Sequence, residues 1–299
     1  MASTLPFDVD LSIKPNVEVF FEPRSCTLSY LVIDPNSNAC AVIDSAADMD
    51  YAAGRITYES ADKIIEKIKH RSLSLEWIIE THVHADHLSA APYIQSQIGG
   101  KIAISREIAK VQGVFADVFN EDKNFQRQGE QFDYLFEHGE TYYIGSMKAL
   151  AILTPGHTPA CMTHVVGDAA FVGDTLFMPD SGTARADFPG GDAKTLYASI
   201  QSILSLPNEM RLFTCHDYQP GGRELQYQSS VAEQKQQNIH LKDDVSEARY
   251  VELRKSRDAT LNMPNLIIPS IQVNMRAGHL PKKSEENDTA YLKVPINRL

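Results

Sequence analysis

His82, His84, Asp86 and His87 fall within six positions, in the run Thr81-His-Val-His-Ala-Asp-His-Leu88, directly behind the apolar residues 77–79. Imidazole and carboxylate donors this close together suit Zn, Fe or Mn, whereas Ca and Mg favour all-oxygen shells. One buried His is usually a satisfied core residue. Four ligand-type side chains in six positions point to a metal site. Three later residues are candidates on the same ground: His157 in Thr154-Pro-Gly-His-Thr-Pro159, Asp174 in Phe171-Val-Gly-Asp-Thr175, and His216 in Cys215-His-Asp-Tyr218. Taken singly, each has a bland explanation, such as a turn-capping His or a helix-capping Asp. All three nevertheless follow apolar, strand-like runs, as the first cluster does.

The elements that must position these residues follow from the hydrophobic pattern. Residues 28–33 and 39–43 are β-rich runs split by Asp34-Pro-Asn-Ser-Asn38, which predicts a hairpin. Residues 60–70 carry Ile64, Ile65 and Ile68 at helical spacing behind a Ser cap, and 75–80 form a strand that delivers the His cluster at its C-terminal end. A helix over 88–97, closed by Gly99-Gly100, and a strand over 101–105 complete the first half. The second half repeats the theme: strands over 147–154, 162–166 and 170–172, a helix over 193–204, and a strand over 211–214. Helices are expected over 224–241 and 246–259, and the last forty residues, rich in Pro, are expected to run extended over the surface. The fold class is therefore α/β, two sheets face to face with helices outside. We expect one domain over 1–299, with a core of about 15–222 and a C-terminal helical and extended part over 223–299.

Composition sets the outer limits. With 299 residues, 43% hydrophobic and 22% charged, the chain has ordinary globular composition and can build a large core without a staple. A net charge of −11 argues against a nucleic-acid partner. Cys26, Cys40, Cys161 and Cys215 show no paired spacing and read as reduced thiols. Cys161 follows His157 by four positions but enters an apolar strand, so a buried structural thiol is expected rather than a nucleophile. No apolar run is long enough for a membrane span and no secretory leader is visible, so a cytoplasmic setting is expected.

The combination of His82-Val-His84-Ala-Asp86-His87, Gly156-His157, Gly173-Asp174 and His216 resembles the metallo-β-lactamase superfamily. That resemblance implies an αββα sandwich with the metal pocket at one edge of the sheets. It implies two adjacent metal positions, one drawing on His82, His84 and His157, the other on Asp86, His87 and His216, with Asp174 able to bridge. Narrower blocks, namely 155–161, 184–188, 191–197, 216–218 and 273–278, are similar to the persulfide (sulfur) dioxygenase family, specifically its longer bacterial branch. The segment 49–57 is an insertion against the animal and plant members, and the stretch between Asp174 and Arg185 is longer and lacks their Gly-Cys-Gly.

Carried onto this sequence, the family's single Fe(II) falls on His82, His157 and Asp174, with His84, Asp86, His87 and His216 orienting ligands or waters. This is the facial arrangement of non-haem iron oxygenases, which leaves room for two substrates. The implied reaction turns glutathione persulfide, O2 and water into glutathione and sulfite. The same seven residues also fit a dinuclear Zn hydroxyacylglutathione hydrolase, with two Zn in place of one iron, and a glutathione-binding sulfur sensor is a third, non-catalytic possibility. Glutathione carries two carboxylates, so Arg185 is a candidate grip, with Tyr218, Asn274, Arg276 and Tyr197 as further substrate-binding candidates. A structural ion pair of Arg185 with Asp187 is the competing reading. Expected partners are glutathione persulfide and O2, a separate sulfurtransferase, and further copies of the chain in a homodimer or higher homo-oligomer, with neither nucleic acid nor membrane.

Overall fold

The computed structural model describes residues 7, 9–242 and 244–298. The first half opens with strands β1 (Asn16–Glu22), β2 (Thr27–Ile33) and β3 (Ala39–Ile43). It continues through β4 (Ala46–Asp50), β5 (Arg55–Thr57), helix α1 (Glu59–His70), β6 (Ser74–Ile79) and β7 (Leu88–Ser89). Helix α2 (Ala91–Ile98), β8 (Lys101–Ser105), α3 (Ile108–Val118) and β9 (Tyr134–Phe136) close it. The second half holds β10 (Glu140–Ile144), β11 (Met147–Leu153), β12 (Met162–Val166), β13 (Ala169–Phe171), α4 (Ala193–Leu204), β14 (Arg211–Phe213) and β15 (Gln228–Ser230). Helices α5 (Val231–Gln237), α6 (Glu247–Asp258) and α7 (Ile267–Asn274) follow.

Two six-stranded sheets result, ordered β1-β2-β3-β6-β8-β9 and β10 to β15 in sequence, with a small third sheet of β5, β4 and β7. Strand alternation explains how one strand serves two cores. In β2, Leu28, Tyr30 and Val32 point into the layer between the sheets, while Leu31 and Ile33 point to the helices. Helices α1, α2, α3 and α7 cover the outer face of the first sheet, and α4, α5 and α6 cover that of the second. The architecture is thus α/β, a helix–sheet–sheet–helix sandwich. Tyr30 ties the sheets together: its ring lies 5.4 Å from both Phe171 and Phe213, and its hydroxyl donates to Thr214 O at 2.5 Å, two residues before His216. Truncating either Phe to Ala removes packing on the order of 3–5 kcal/mol from directly beneath the site.

The expected 28–43 hairpin forms, with Tyr30 opposite Ile43 and the Asp34 carboxylate closing the turn onto Asn36 N and Ser37 Oγ. Four expectations need correction. Ser60 does not cap α1; the Asp48 carboxylate of β4 does that work, accepting from Ser60 N at 2.8 Å and Ser60 Oγ at 2.8 Å. Leu88 and Ser89 are not helical, because they pair with Ala47 and Ala46, and α2 starts only at Ala91 with Pro92 in its first turn. The helix expected over 224–241 is short, because Gln228–Ser230 pairs with β14 and the Ser230–Glu233 capping box starts α5 only at Val231. Finally, the last forty residues are not all extended: α7 forms with Pro269 in its first turn, where the missing N–H costs nothing. Among the described residues, no helix is long and apolar enough to cross a membrane.

Candidate metal centre

All seven metal-ligand candidates emerge from loops at the C-terminal ends of strands. The loop after β6 carries His82 to His87, the loop after β11 carries His157, the turn after β13 carries Asp174, and the residues after β14 carry His216. Two glycines make this assembly possible. Gly156 has a φ of +136°, and a side chain there would drive into the Leu196 backbone, so only glycine lets α4 approach this closely beside His157. Gly173 has a φ of +52°, and a Cβ there would meet Thr81 Oγ1 at 2.6 Å, beside the ring of His82.

Hydrogen bonds fix which nitrogen each ring presents. The Thr81 hydroxyl donates to Asp44 Oδ2 at 2.8 Å, so its oxygen accepts from His82 Nδ1–H at 3.0 Å. His157 Nδ1–H donates to the Arg185 carbonyl at 2.8 Å. Both rings therefore turn an Nε2 lone pair inward. The two Nε2 atoms stand 3.7 and 3.6 Å from the same Asp174 oxygen, Oδ2. Burial, reinforced by the neighbouring His84, pushes His82 well below the usual histidine range, so it is the neutral imidazole that a metal needs. Two imidazole nitrogens and one carboxylate oxygen, within 4.8 Å of one another, form a set able to hold one ion.

The other four residues lie alongside. His84 is clamped by two buried carboxylates, with Nε2 3.1 Å from Asp44 Oδ1 and 2.9 Å from Glu80 Oε2. Although burial opposes it, these carboxylates hold His84 well above the usual range. His216 Nε2 lies 3.2 Å from Asp86 Oδ2 and 3.4 Å from Asp174 Oδ1, so the two oxygens of Asp174 face different neighbours. His87 Nδ1 meets Thr27 Oγ1 at 3.1 Å. Most buried polar side-chain atoms without a partner among the described residues belong to this basin: His82 Nε2, His84 Nδ1, Asp86 Oδ2, His87 Nε2, Asp174 Oδ1 and both nitrogens of His216. Unpaired buried groups are costly, and here they converge, as ligand atoms facing a metal would. The donor set therefore fits a transition metal.

The substrate-binding candidates divide. Arg185 lines the cavity above the basin, but its guanidinium is already committed. Nε and Nη2 grip Asp187 at 2.6 and 2.8 Å, Nη1 donates to Asn262 O at 2.7 Å, and the fork stacks on Phe188. Tyr218 also lines the cavity, its ring stacked at 13° on His216. The other three are elsewhere. Tyr197 points away from the cavity, donating to Val245 O at 2.8 Å and packing against Tyr250. Arg276 is paired with Glu121 at 2.5 Å and stacked on Phe125.

Asn274 is buried under the metal loop, where Nδ2 donates to His84 O and His87 O, each at 2.8 Å, and Oδ1 accepts from Ser89 N at 2.8 Å. It holds the loop from a helix almost two hundred residues away instead of touching a ligand. Cys161 matches the expectation of a buried thiol, with burial pushing it up to about 12.

Reading the sequence alone missed Asp44, Glu80 and Thr81, which hold the histidines. The spacing Glu80 to His84 was a visible signal. Asp44 offered none in its spacing, although its φ of +53° marks a strained backbone of the kind found at sites. The cavity measures about 670 Å³. Its floor is Asp86, His87, His157 and Asp174; Met49, Phe177 and Phe188 form apolar walls, and Arg24 and Arg257 also line it. The segment 49–57 thus reaches the cavity through Met49.

Comparison with known proteins agrees with this geometry. The Metallo-beta-lactamase superfamily model matches residues 26–216. A probable metallo-hydrolase of Burkholderia pseudomallei (strain 1710b) is 52% identical over 293 residues, 95% of this chain and 99% of its own. Glyoxylase B2 of Dictyostelium discoideum is 45% identical over 97% of this chain and 99% of its own. The mitochondrial persulfide dioxygenase ETHE1 of Mus musculus is 30% identical over 86% of this chain and 87% of its own. Against a beta-lactamase hydrolase-like protein of Agrobacterium fabrum, 50% identical, the chain spans 65% of the relative's length. Among solved structures, ETHE1 from Myxococcus xanthus shares the fold with a TM-score of 0.70 at 24% identity, covering 88% of this chain and all of that one.

Proposed function

We propose that this chain, which belongs to the metallo-beta-lactamase superfamily, is a persulfide dioxygenase using one Fe(II) held by His82, His157 and Asp174. The observation that carries the reading is the fixed pair of tautomers. Thr81 and the Arg185 carbonyl each occupy one imidazole nitrogen, leaving two lone pairs aimed at one oxygen of one carboxylate. A ferrous ion bound there supplies one-electron chemistry toward O2 that no side chain offers. The chain's own residues do the rest. His157 and Asp174 open onto the cavity, so a persulfide entering it meets the ligand side of the basin. Phe177 and Phe188 give the cavity apolar walls beside those ligands, and Arg185 contributes both to the wall and, through its carbonyl, to the orientation of His157. At about 670 Å³ the cavity has room for a peptide-sized thiol carrier, far more than sulfide needs. The net reaction is glutathione persulfide, O2 and water giving glutathione, sulfite and two protons. Similarity to a persulfide dioxygenase over 86% of the chain supports the reading.

A second reading has its own support. His84 Nδ1, Asp86 Oδ2, His87 Nε2 and His216 Nε2 are also unpartnered, and a relative named Glyoxylase B2 is 45% identical. A second ion among these residues would give a dinuclear Zn site for thioester hydrolysis. Asp86 Oδ2 and His216 Nε2 stand 3.2 Å apart, close enough for one such ion to take both, so the two readings are separated by the reaction itself. The experiment is oxygen uptake by protein loaded anaerobically with Fe(II) and given glutathione persulfide, beside hydrolysis of a hydroxyacylglutathione. We expect one O2 consumed per sulfite formed and negligible hydrolysis. Rapid hydrolysis without oxygen uptake rejects the dioxygenase.

A further inference from the structure

Four arginines line the cavity, and they are not equivalent. Arg185 is neutralised by Asp187, and Arg254 by Asp258 at 2.7 Å. The guanidinium groups of Arg24 and Arg257 make no hydrogen bond or ion pair among the described residues. Both are exposed side chains on the cavity wall. In a chain of net charge −11, two unpaired cations at one cavity call for an explanation. Nearby acids cannot supply it. The Glu22 carboxylate takes Arg24 N, Ser25 N and Ser25 Oγ, and Asp180 is gripped by Arg223. Asp86 and Asp174 lie on the metal floor.

We propose that Arg24 and Arg257 are the carboxylate anchors of this cavity, and that its ligand is a thiol carrier bearing two carboxylates. The lining suits such a molecule: metal-ligand residues, the apolar side chains of Met49, Phe177 and Phe188, and two unpaired cations share one cavity. A guanidinium pairs with a carboxylate through two parallel hydrogen bonds, so each arginine recognises one acid group. Arg185, the residue that the sequence alone marks for this task, instead shapes the wall. The inference rests on the proposed function only in naming the sulfur end of the ligand; recognition of the acid groups is independent of which reaction follows.

The test uses S-methylglutathione, which is neither a persulfide nor a thioester, and its dimethyl ester, titrated calorimetrically into the metal-loaded protein. We expect Arg24→Gln and Arg257→Gln each to weaken the diacid about tenfold, the double variant about a hundredfold, and neither to change the weak binding of the diester. Diacid affinity should also fall with added salt, because these side chains are exposed. Failure of the wild type to bind the diacid, unchanged affinity in the double variant, or equal losses for diacid and diester would each overturn the proposal. A loss at only one position overturns its two-anchor form. Failure of oxygen uptake rejects the dioxygenase reading and leaves this result standing.

Discussion

The basin has two sides, and their supports differ. On the His82, His157 and Asp174 side, each imidazole is oriented by one neutral oxygen, Thr81 Oγ1 or Arg185 O, and its inner nitrogen is left free. On the other side, two carboxylates clamp His84, and Asp86 faces His216. Asp86 is held below the usual carboxylate range: burial opposes this, but His216 and His87 outweigh it. The first side presents two imidazoles oriented by neutral oxygens beside the Asp174 carboxylate. The second already has much of its charge matched inside the protein. Neighbouring residues of the same types can thus serve different purposes, and what separates them is the partner behind each ring, a neutral oxygen on one side and a carboxylate on the other.

The largest expected effect separates the sides directly. Asp174→Ala or His157→Ala should abolish iron binding and lower turnover by at least ~1000-fold, whereas His87→Ala should keep iron and lose only about tenfold, as outer residues around metals do. Metal content and oxygen uptake measured on the same preparations check this. Equal losses on the two sides would erase the distinction.

Next comes the brace behind the second side. Asn274→Ala leaves His84 O, His87 O and Ser89 N buried without their partner. It should cost roughly 3 kcal/mol of stability and weaken metal binding by about 10–100-fold. Urea unfolding and a Co(II) titration followed by its visible spectrum read the two effects separately.

A smaller effect concerns a histidine with no metal to meet. His164 is buried between the sheets beside Tyr142 and also has an unpartnered Nε2, but among the described residues it belongs to no group able to hold an ion. Burial lowers it to about 4. Its folded value lies below its unfolded one near 6.5, so the unfolded chain takes up the proton first as pH falls. Stability is therefore lost between about 6.5 and 4, by roughly 2 kcal/mol at pH 5 from this residue. Unfolding of metal-free protein at pH 7 and pH 5 measures it, and His164→Leu should show a shallower acid loss.

The sandwich and the seven basin residues were legible because strand ends and ligand types leave local marks in the chain. Tertiary partners leave none. Arg185 carries the right chemistry for a carboxylate grip, yet Asp187, two residues on, takes its fork. Asn274 and Arg276 stand in a distinctive segment, and the structure turns that distinctiveness to packing against the metal loop and Glu121. Conversely, Arg24 and Arg257 stand in unremarkable sequence, and only the enclosure of the cavity gives them meaning. The beginning of the helix expected over 224–241 was lost for a similar reason, since pairing of Gln228–Ser230 with β14 outweighed local helix propensity.

The central claim is one iron on one side of the basin, and counting metals in protein purified without oxygen tests it most directly. The account predicts close to one iron per chain, absent from Asp174→Ala and retained in His87→Ala. Two zinc ions per chain, both lost together when either side is altered, would contradict it.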